Sequence, residues 1–436
     1  MPFAVYVLGL AVFAQGTSEF MLSGLVSGIA ADLHVTIPAA GLLTSAFAVG
    51  MVIGAPLMAL FSRKWPRRRA LLIFLTAFMA AHVVGAVTPS YEVLLATRVV
   101  GALANAGFWA VALVAAIAMV EPAARARATS VVVGGVTVAC VVGVPAGALL
   151  GEQLGWRAAF WAVAVVSLPA LVAIVTSVPD ERPGTPAPVS AETGAYQAGA
   201  YQAAAYETGA DETGASDTEA SAAGASETPT VREELRSLTA RRVLLTLLAM
   251  ALVQGATFCA FSYLEPLATR VTGLGTGWVP ALLALFGVGS LVGVTLSGRV
   301  ADARRSTLVV AGMASLALGW VALALSAVSP VATIALVFVQ GMLAFGTGSA
   351  MISQVFQLAP GAPTLAGSFA TAAFNIGAAA GPWLGGLTID AGFGFRSPVW
   401  VSAALMALAL TTAGVTRLVC LPRLTKATVA MKSETL

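Results

Sequence analysis

The sequence predicts an all-α membrane protein with twelve transmembrane helices, arranged as two pseudo-symmetric six-helix bundles. Three observations predict this fold class. Of the 436 residues, 58% are hydrophobic and 10% charged, and the mean hydropathy is +0.90, values that water-soluble domains do not sustain. Apolar stretches long enough to cross a membrane recur along the chain. One of them returns with a similar sequence in the second half.

Twelve apolar stretches can be marked off between charged or Pro/Gly turns. Each has roughly the 20 residues that a hydrocarbon core about 30 Å thick requires. In residues 1–178, the N-terminal bundle, the predicted spans are 3–28, 39–61, 70–88, 93–118, 129–151 and 158–178. In residues 241–420, the C-terminal bundle, they are 243–265, 279–300, 307–328, 331–355, 364–388 and 398–419. Residues 421–436 are interpreted as a cytoplasmic tail.

Residues 179–240 have a different composition from the rest of the chain. They are mostly Ala, Gly, Glu, Thr and Ser, and they contain 11 of the 20 acidic residues. Such a segment cannot bury enough apolar surface to offset the entropy lost on ordering. We therefore predict a disordered cytoplasmic linker, with a soluble regulatory domain as the competing interpretation.

The distribution of Lys and Arg predicts the orientation. With both termini in the cytoplasm, the cytoplasmic segments contain 19 of the 23 basic residues and the external segments three, while Arg98 lies within a span. Positively charged loops stay in the cytoplasm. We expect a multi-pass protein of the plasma membrane whose net charge of +3 reflects topology and not affinity for nucleic acid. The first apolar run lacks a basic flank and a cleavage signal, so we expect it to be retained as a helix.

The chain contains an internal duplication. Phe47-Ala-Val-Gly50-Met-Val-Ile-Gly54 returns as Phe286-Gly-Val-Gly289-Ser-Leu-Val-Gly293, and each copy precedes an Arg-rich turn. Two further pairings occur at a nearly constant offset: Arg98-Val-Val-Gly with Phe338-Val-Gln-Gly, and Gly143, Gly147 and Gly151 with Gly377, Gly381 and Gly385. A four-residue Gly spacing places each trio on one helix face and permits close backbone approach. Repeats of this kind are typical of secondary transporters with a site at the repeat interface.

These motifs resemble those of twelve-span drug:proton antiporters of the major facilitator superfamily, over the whole chain apart from the linker. Longer strings, such as Gly16-Thr-Ser-Glu19-Phe20 and Asn375-Ile-Gly-Ala-Ala-Ala-Gly-Pro382, are most similar to actinomycete chloramphenicol exporters. The resemblance implies efflux of a small neutral antibiotic, most simply chloramphenicol, in exchange for protons. The alternative with the same motifs is a proton-coupled exporter of a sugar, a nucleoside or another metabolite.

The resemblance also implies roles for particular residues. Gly143, Pro145, Gly147 and Gly151 resemble the antiporter motif of helix five, and Arg98 resembles the helix-four Arg associated with proton coupling. Asp302, Arg304 and Arg305 resemble the cytoplasmic gate signature between helices eight and nine. The 2–3 loop departs from the family pattern, because Ser62-Arg63-Lys64-Trp65-Pro66 lacks the expected acidic residue. Asp302 would therefore have to gate without a symmetric partner.

Glu19 is the residue on which the predicted chemistry depends. It lies about 10 residues from the outer end of the first span, or about 15 Å at helical rise, and thus near mid-depth. A carboxyl group there is costly and is by default a functional candidate. Gln15, Ser18, Glu19 and Ser23 form one polar stripe. We predict that Glu19 and Arg98 are the proton-coupling residues and lie close together in at least one conformation; a static buried pair is the alternative.

The drug cavity is expected between helices one, four, seven and ten, as the resemblance implies. Sparse amides and aromatic rings on these and neighbouring spans suit a neutral, partly aromatic compound. The predicted substrate-binding residues are Gln15, Ser23, Asn105, Phe108, Gln254, Phe258, Phe261 and Asn375. Glu265 is assigned to the outer interface, and His82 is either a packed polar residue or a proton relay.

Other function classes find little support in the sequence. No nucleophile motif, phosphate-binding loop or clustered His, Cys or Asp set occurs, so we predict no enzyme activity, no cofactor and no metal site. The expected partners are a small-molecule drug, protons and the lipid bilayer. Because two halves together enclose a complete cavity, a monomer would suffice.

Overall fold

The computed structural model describes residues 1–62, 65–178, 240–359 and 363–418. Within these ranges, side chains are not described at 59–60, 122, 299–308, 363–365 and 417–418. The predicted linker and tail lie outside the described residues, apart from Ala240. In the part of the chain that is described, the regular secondary structure is helical throughout.

The first half contains six membrane-spanning helices, which we number α1 to α6. α1 is Phe3–Phe20, followed by a 3₁₀ turn, Met21–Gly24, and the extension Val26–Asp32. α2 is Ile37–Ser62, α3 is Arg67–Val87 and α4 is Tyr91–Ala118. α5 comprises Arg125–Val138, a π turn, Ala139–Gly143, and Val144–Leu154, and α6 is Trp156–Ser177.

The second half repeats this arrangement. α7 is Arg241–Ser262, followed by a helical turn, Leu264–Pro266, and a π turn, Leu267–Val271. α8 and α9 are the spans Thr276–Gly298 and Val309–Ser326, which share the helical stretch Val279–Ser326. α10 is Pro330–Leu358, α11 is Pro363–Thr388 and α12 is Ser397–Leu418.

α8 and α9 form a hairpin although helical backbone runs through both. Gly293 lies against Met342 of α10, and Gly312 lies against Thr347 of the same helix. Gly293 and Gly312 also line one small cavity. On a straight helix, 19 residues would separate them by about 28 Å. The chain therefore reverses between them, as the predicted 8–9 turn requires.

The fold class predicted from the sequence is confirmed. Eleven helices of the described chain are long and apolar enough to cross a membrane. α11, a 26-residue helix rich in Ala and Gly, falls outside that set, and with it the described chain is consistent with the predicted twelve spans. The main difference from prediction is in the first span, which is not one continuous helix over 3–28 but is interrupted after Phe20.

The paired glycines pack equivalent helices in the two halves. Gly143 lies against Thr17 of α1, and Gly381 lies against the Gly255 carbonyl of α7. A Cβ at either glycine would overlap these atoms. The same relation holds between α2 and α4 and between α8 and α10, through Gly50 and Gly289. The duplication seen in the sequence is thus a duplication of helix packing, which brings α1 and α7 to the centre.

Candidate substrate cavity and proton site

A cavity of about 70 Å³ lies between the two halves of the molecule. This volume has room for several water molecules. Residues from α1, α2, α4, α5, α7 and α11 line it: Glu19, Phe20, Met51, Trp109, Val136, Gln254, Phe258, Thr371, Phe374, Asn375 and Ala378. No residue of α10 belongs to this described lining, in contrast to the expected α1, α4, α7 and α10 arrangement. α10 instead packs against α8 and α9, where the Gly289 and Gly293 backbone meets Phe338 and Met342.

Glu19 reaches this cavity from the end of α1. Its side chain is partly exposed and lines the space between the halves. The next residue, Phe20, ends the α-helix, and Ser23 in the following 3₁₀ turn donates a hydrogen bond to the Phe20 carbonyl at 2.8 Å. The carboxyl group is therefore placed at a break in the helix and beside a water-sized space, where it can exchange a proton.

Arg98 lies near Glu19, but its side chain binds Ser18, the residue that precedes Glu19 in the sequence. The Arg98 side chain is 2% exposed, and its two terminal nitrogens donate to the Ser18 Oγ and the Ser18 carbonyl, each at 2.9 Å. Its guanidinium also lies 4.5 Å from the Phe47 ring centroid. Among the described residues, the ion pair within 4 Å is that of Arg157 with Asp32. Direct contact between Glu19 and Arg98 in another conformation stays a prediction.

His82 continues this hydrogen-bonded chain into α3. Its Nδ1 lies 2.8 Å from the Phe78 carbonyl oxygen and its Nε2 2.6 Å from the Ser18 Oγ. Because a carbonyl can only accept, Nδ1 donates and Nε2 of the neutral ring accepts the Ser18 proton. The Ser18 hydroxyl thus accepts from Arg98 and donates to His82. These two bonds are those of a packed polar residue, and a role for His82 as a proton relay stays a prediction.

Three of the predicted substrate-binding residues line the cavity. They are Gln254 and Phe258 on α7 and Asn375 on α11. The Asn375 amide donates to the Thr371 carbonyl at 3.0 Å, which fixes its orientation on the cavity wall. Phe20 lies across from Phe258, with ring centroids 5.7 Å apart. The cavity therefore combines aromatic rings with two amide groups.

The other five predicted residues lie away from the described lining. Ser23 binds the α1 backbone, Phe108 is fully buried in the first-half core, and Phe261 stacks on Phe286 at 4.6 Å. Gln15 is fully buried, and neither its amide oxygen nor its amide nitrogen has a hydrogen-bond partner among the described residues. Asn105 is 1% exposed, with Nδ2 3.5 Å from the Met51 sulfur and no partner for Oδ1 in the described part of the chain. Burying an amide group without hydrogen-bond partners costs free energy. The unpaired amide atoms of Gln15 and Asn105 therefore remain available for further hydrogen bonds.

Several lining residues were not predicted from the sequence. Met51 lies inside the repeated motif of α2, and Phe374 precedes Asn375. Each stands beside a residue or motif that the sequence did single out. Their position next to predicted residues was a possible signal in the sequence. The rotation of each helix about its axis, which the sequence does not give, decides which of two neighbouring residues faces the cavity.

The structure describes the motif residues of α5 that the resemblance implies, but not the side chains of those between α8 and α9. Gly147 lies against Met21 and Gly151 against Leu25, so the antiporter motif packs α5 onto α1 beside the helix break. Pro145 lies two residues after the end of the π turn Ala139–Gly143, as expected where a missing N–H disrupts the helical hydrogen bonds. Asp302, Arg304 and Arg305 lie outside the residues whose side chains are described. Their gating role stays a prediction.

Comparison with known proteins identifies the family. The family model described as Major Facilitator Superfamily matches residues 8–364 and 276–428. The chain belongs to this superfamily. It is 48% identical over 413 residues to a chloramphenicol resistance protein of Streptomyces lividans, covering 95% of this chain and 96% of the relative. It is 30% identical over 408 residues to the inner membrane transport protein YdhP of Escherichia coli strain K12, covering 94% of each.

A solved structure agrees with the superfamily fold. A bacterial homolog of the human lysosomal transporter Spinster, in an inward-facing and unoccupied conformation, matches with a TM-score of 0.70 at 15% identity. The match covers 95% of this chain and 96% of the solved chain. At this identity the likeness concerns the fold alone. The superfamily and the transport proteins among the relatives place the chain among membrane transporters.

Proposed function

We propose that this chain exports a small neutral antibiotic, with chloramphenicol as the first candidate, in exchange for protons. The observation that carries the proposal is the position of Glu19, an acidic side chain that lines a cavity between the two halves of a major facilitator transporter. The substrate class is supported by the 48% identical relative, which is named a chloramphenicol resistance protein.

The exchange cycle follows from the geometry of the cavity. With the cavity open to the outside, Glu19 takes up a proton and the drug leaves. With the cavity open to the cytoplasm, the proton leaves and the drug binds. The Arg98 guanidinium, anchored on Ser18, supplies positive charge near the carboxyl group of the adjacent residue, Glu19. Proton and drug therefore oppose one another within one cavity.

A single proton provides enough free energy for useful export. One elementary charge moving through about 100 mV releases about 2.3 kcal/mol. For a neutral drug this sustains a concentration ratio of order 50-fold, before any pH difference is added. A one-for-one exchange is thus sufficient for resistance.

The cavity wall suits a neutral aromatic compound. Phe258 and Trp109 offer ring faces, and the amides of Gln254 and Asn375 offer both donors and acceptors. The one acidic group of the described lining is Glu19, which is ionised when the drug binds and finds no opposite charge on a neutral compound. We infer that recognition relies on stacking and amide hydrogen bonds and not on charge.

The membrane location, the orientation and the oligomeric state of the transporter are also proposed. We place it in the plasma membrane with both termini in the cytoplasm, because 19 of the 23 basic residues then lie on the cytoplasmic side. The cavity is enclosed by the two halves of one chain, which supports a monomer as the working unit.

Labelled chloramphenicol accumulation in inverted vesicles with an imposed pH gradient tests the proposal. We expect gradient-driven accumulation in the wild type, loss of gradient dependence in Glu19→Gln, and wild-type behaviour in Glu92→Gln, whose carboxyl group is exposed at the start of α4. Unchanged gradient dependence in Glu19→Gln would refute the role of Glu19. Unchanged drug susceptibility of an expressing strain, with transport of a sugar or nucleoside instead, would favour the metabolite exporter.

A further inference from the structure

The two halves are held together on the side of the molecule opposite the termini, here called the far side. Tyr263, at the end of α7, packs against Gly41 of α2, where a Cβ on Gly41 would overlap the Tyr263 ring, and Gly386 of α11 lies beside Pro38 of α2. A second contact runs from the Thr276 hydroxyl to Glu152 of α5, at 2.8 Å. The structure is thus closed on the far side by contacts that must separate if the cavity is to open there.

Glu265 is the buried carboxyl group within this closure. It is 7% exposed and follows Tyr263 in the helical turn Leu264–Pro266. Ser27, in the α1 extension of the other half, donates to the Glu265 Oε2 from its backbone N–H at 3.2 Å and from its hydroxyl at 2.5 Å. The Thr269 hydroxyl donates to the Glu265 backbone carbonyl at 2.9 Å and lies 3.5 Å from Oε1. The two bonds from Ser27 suit the ionised carboxylate, which has four acceptor sites and no proton to place.

Few other charged groups face Glu265. The adjoining turn Leu267–Val271 contributes Arg270, which is exposed and lies 4.9 Å over the Phe395 ring. The α1 extension contributes Asp32, which is already bound by Arg157 and Trp156. The turn Met21–Gly24 contributes no titratable group, and the neighbouring end of α7 contributes the weak acids Cys259 and Tyr263. The hydrogen bonds from Ser27 are therefore the main interactions that depend on the protonation state of Glu265.

A proton can reach this carboxyl group from the far-side solution. Ser27 is half-buried and the next residue, Gly28, is exposed, so solvent reaches the edge of the contact between Ser27 and Glu265. Glu19, in contrast, faces the central cavity beyond the closing contacts. The two carboxyl groups thus have separate access, one from the far-side solution and one from the cavity.

We propose that Glu265 is a second proton-binding site, and that proton uptake there opens the far side. The ionised carboxylate accepts both Ser27 bonds and holds the halves together. A proton on Glu265 turns one oxygen into a donor and weakens the acceptor that Ser27 uses, which favours separation of the halves. This inference deepens the proposed function, because an outside proton would then open the route by which the drug leaves and Glu19 is reached.

Distance measurements between spin labels on the two halves test the proposal without drug. Val87 and Val328, at the far-side ends of α3 and α9, are 61% and 62% exposed and accept labels after replacement by Cys. Cys140, Cys259 and Cys420 are first replaced by Ala. Double electron–electron resonance in lipid nanodiscs between pH 5 and pH 8 then reports the ratio of open to closed far sides. In the wild type we expect this ratio to rise as the pH falls.

Three variants separate the proton site from a merely structural contact. Glu265→Gln should raise the open-to-closed ratio at pH 8 by about tenfold, as expected for weakened bonds to a charged acceptor, and should abolish its pH dependence. Ser27→Ala keeps the carboxylate and should shift the ratio in the same direction by a smaller factor while retaining pH dependence. Glu152→Gln, which alters an exposed carboxylate bound across the same closure, should leave the pH dependence unchanged.

A Glu265→Gln variant that stays closed and titrates like the wild type would overturn the proposal. Loss of the far-side pH response in Glu19→Gln, with retention in Glu265→Gln, would also overturn it by assigning the response to the central carboxyl group. The proposed function fails by a different result, namely absence of gradient-driven chloramphenicol transport in the wild type. A protein that opens as predicted without transporting this drug would retain the second proton site.

Discussion

Replacing Ser18 by Ala tests whether the polar network around Arg98 stabilises the first half of the transporter. In the folded protein the Ser18 hydroxyl accepts from Arg98 at 2.9 Å and donates to His82 at 2.6 Å. A hydrogen bond to a charged group contributes about 1.5–3 kcal/mol and a neutral one about 0.5–1.5 kcal/mol. The Arg98 bond to the Ser18 carbonyl survives the substitution. We therefore expect Ser18→Ala to lower the free energy of unfolding by roughly 2–4 kcal/mol.

Ser23→Ala is the matched control for this prediction. Ser23 is also buried in the first span, but its hydroxyl bonds locally to the Phe20 carbonyl. Its loss should cost about 1 kcal/mol or less. Unfolding of the purified variants in detergent, followed by tryptophan fluorescence against denaturant, measures both. Equal destabilisation by Ser18→Ala and Ser23→Ala would show that the network contributes nothing beyond a local bond, and the reasoning would be wrong.

Two further predictions concern helix packing and pH. Gly381→Ala should sharply reduce the yield of folded protein in size-exclusion chromatography, because its Cβ would overlap the Gly255 carbonyl. Gly134→Ala is the control: a Cβ there has no neighbouring atom of another helix within 4 Å among the described residues, so this variant should be neutral or more stable by up to about 1 kcal/mol. The hydrogen bond from Arg157 lowers the pKa of Asp32. The pair therefore stabilises the fold at pH values above the ordinary aspartate pKa of about 4, and this contribution is lost as the pH falls below that value. Because Asp32 is partly exposed, Asp32→Asn should cost under about 1 kcal/mol at pH 7 and remove this part of the acid sensitivity, measured as thermal stability from pH 3 to pH 7.

The helices were predictable because hydrophobic length alone specifies them, but their interruptions were not. The break after Phe20 depends on contacts with other helices, since Gly24 lies against Ala148 of α5 and Leu283 of α8. Neither contact leaves a periodic signal in the first span. The π turn in α5 was more accessible from sequence, because Pro145 lacks the N–H that a regular helix needs.

The candidate site was predicted in part for a similar reason. The cost of a carboxyl group at mid-depth pointed to Glu19, and the structure places it on the central cavity. The binding of Arg98 to a backbone carbonyl could not be predicted, because a carbonyl is present at every residue. The contact between Ser27 and Glu265 joins residues 238 apart, and nothing in either local sequence indicates the other.

The internal repeat suggests how the two halves divide the work of exchange. Gln15-Gly16-Thr17-Ser18-Glu19 in α1 corresponds to Gln254-Gly-Ala-Thr-Phe258 in α7. Glu19 and Phe258 therefore occupy equivalent positions, and both line the cavity.

The residues around Glu19 differ from their equivalents in the second half, as Glu19 itself differs from Phe258. Arg98 corresponds to Phe338, and Ser18 corresponds to Thr257, whose hydroxyl bonds only to its own helix in the described contacts. The ionisable network thus belongs to the first half, while the second half presents an aromatic ring and amides at the matching sites. A cavity built in this way can bind a neutral drug on one wall and a proton on the other, so that each affects the other through the shared space without competing for the same atoms.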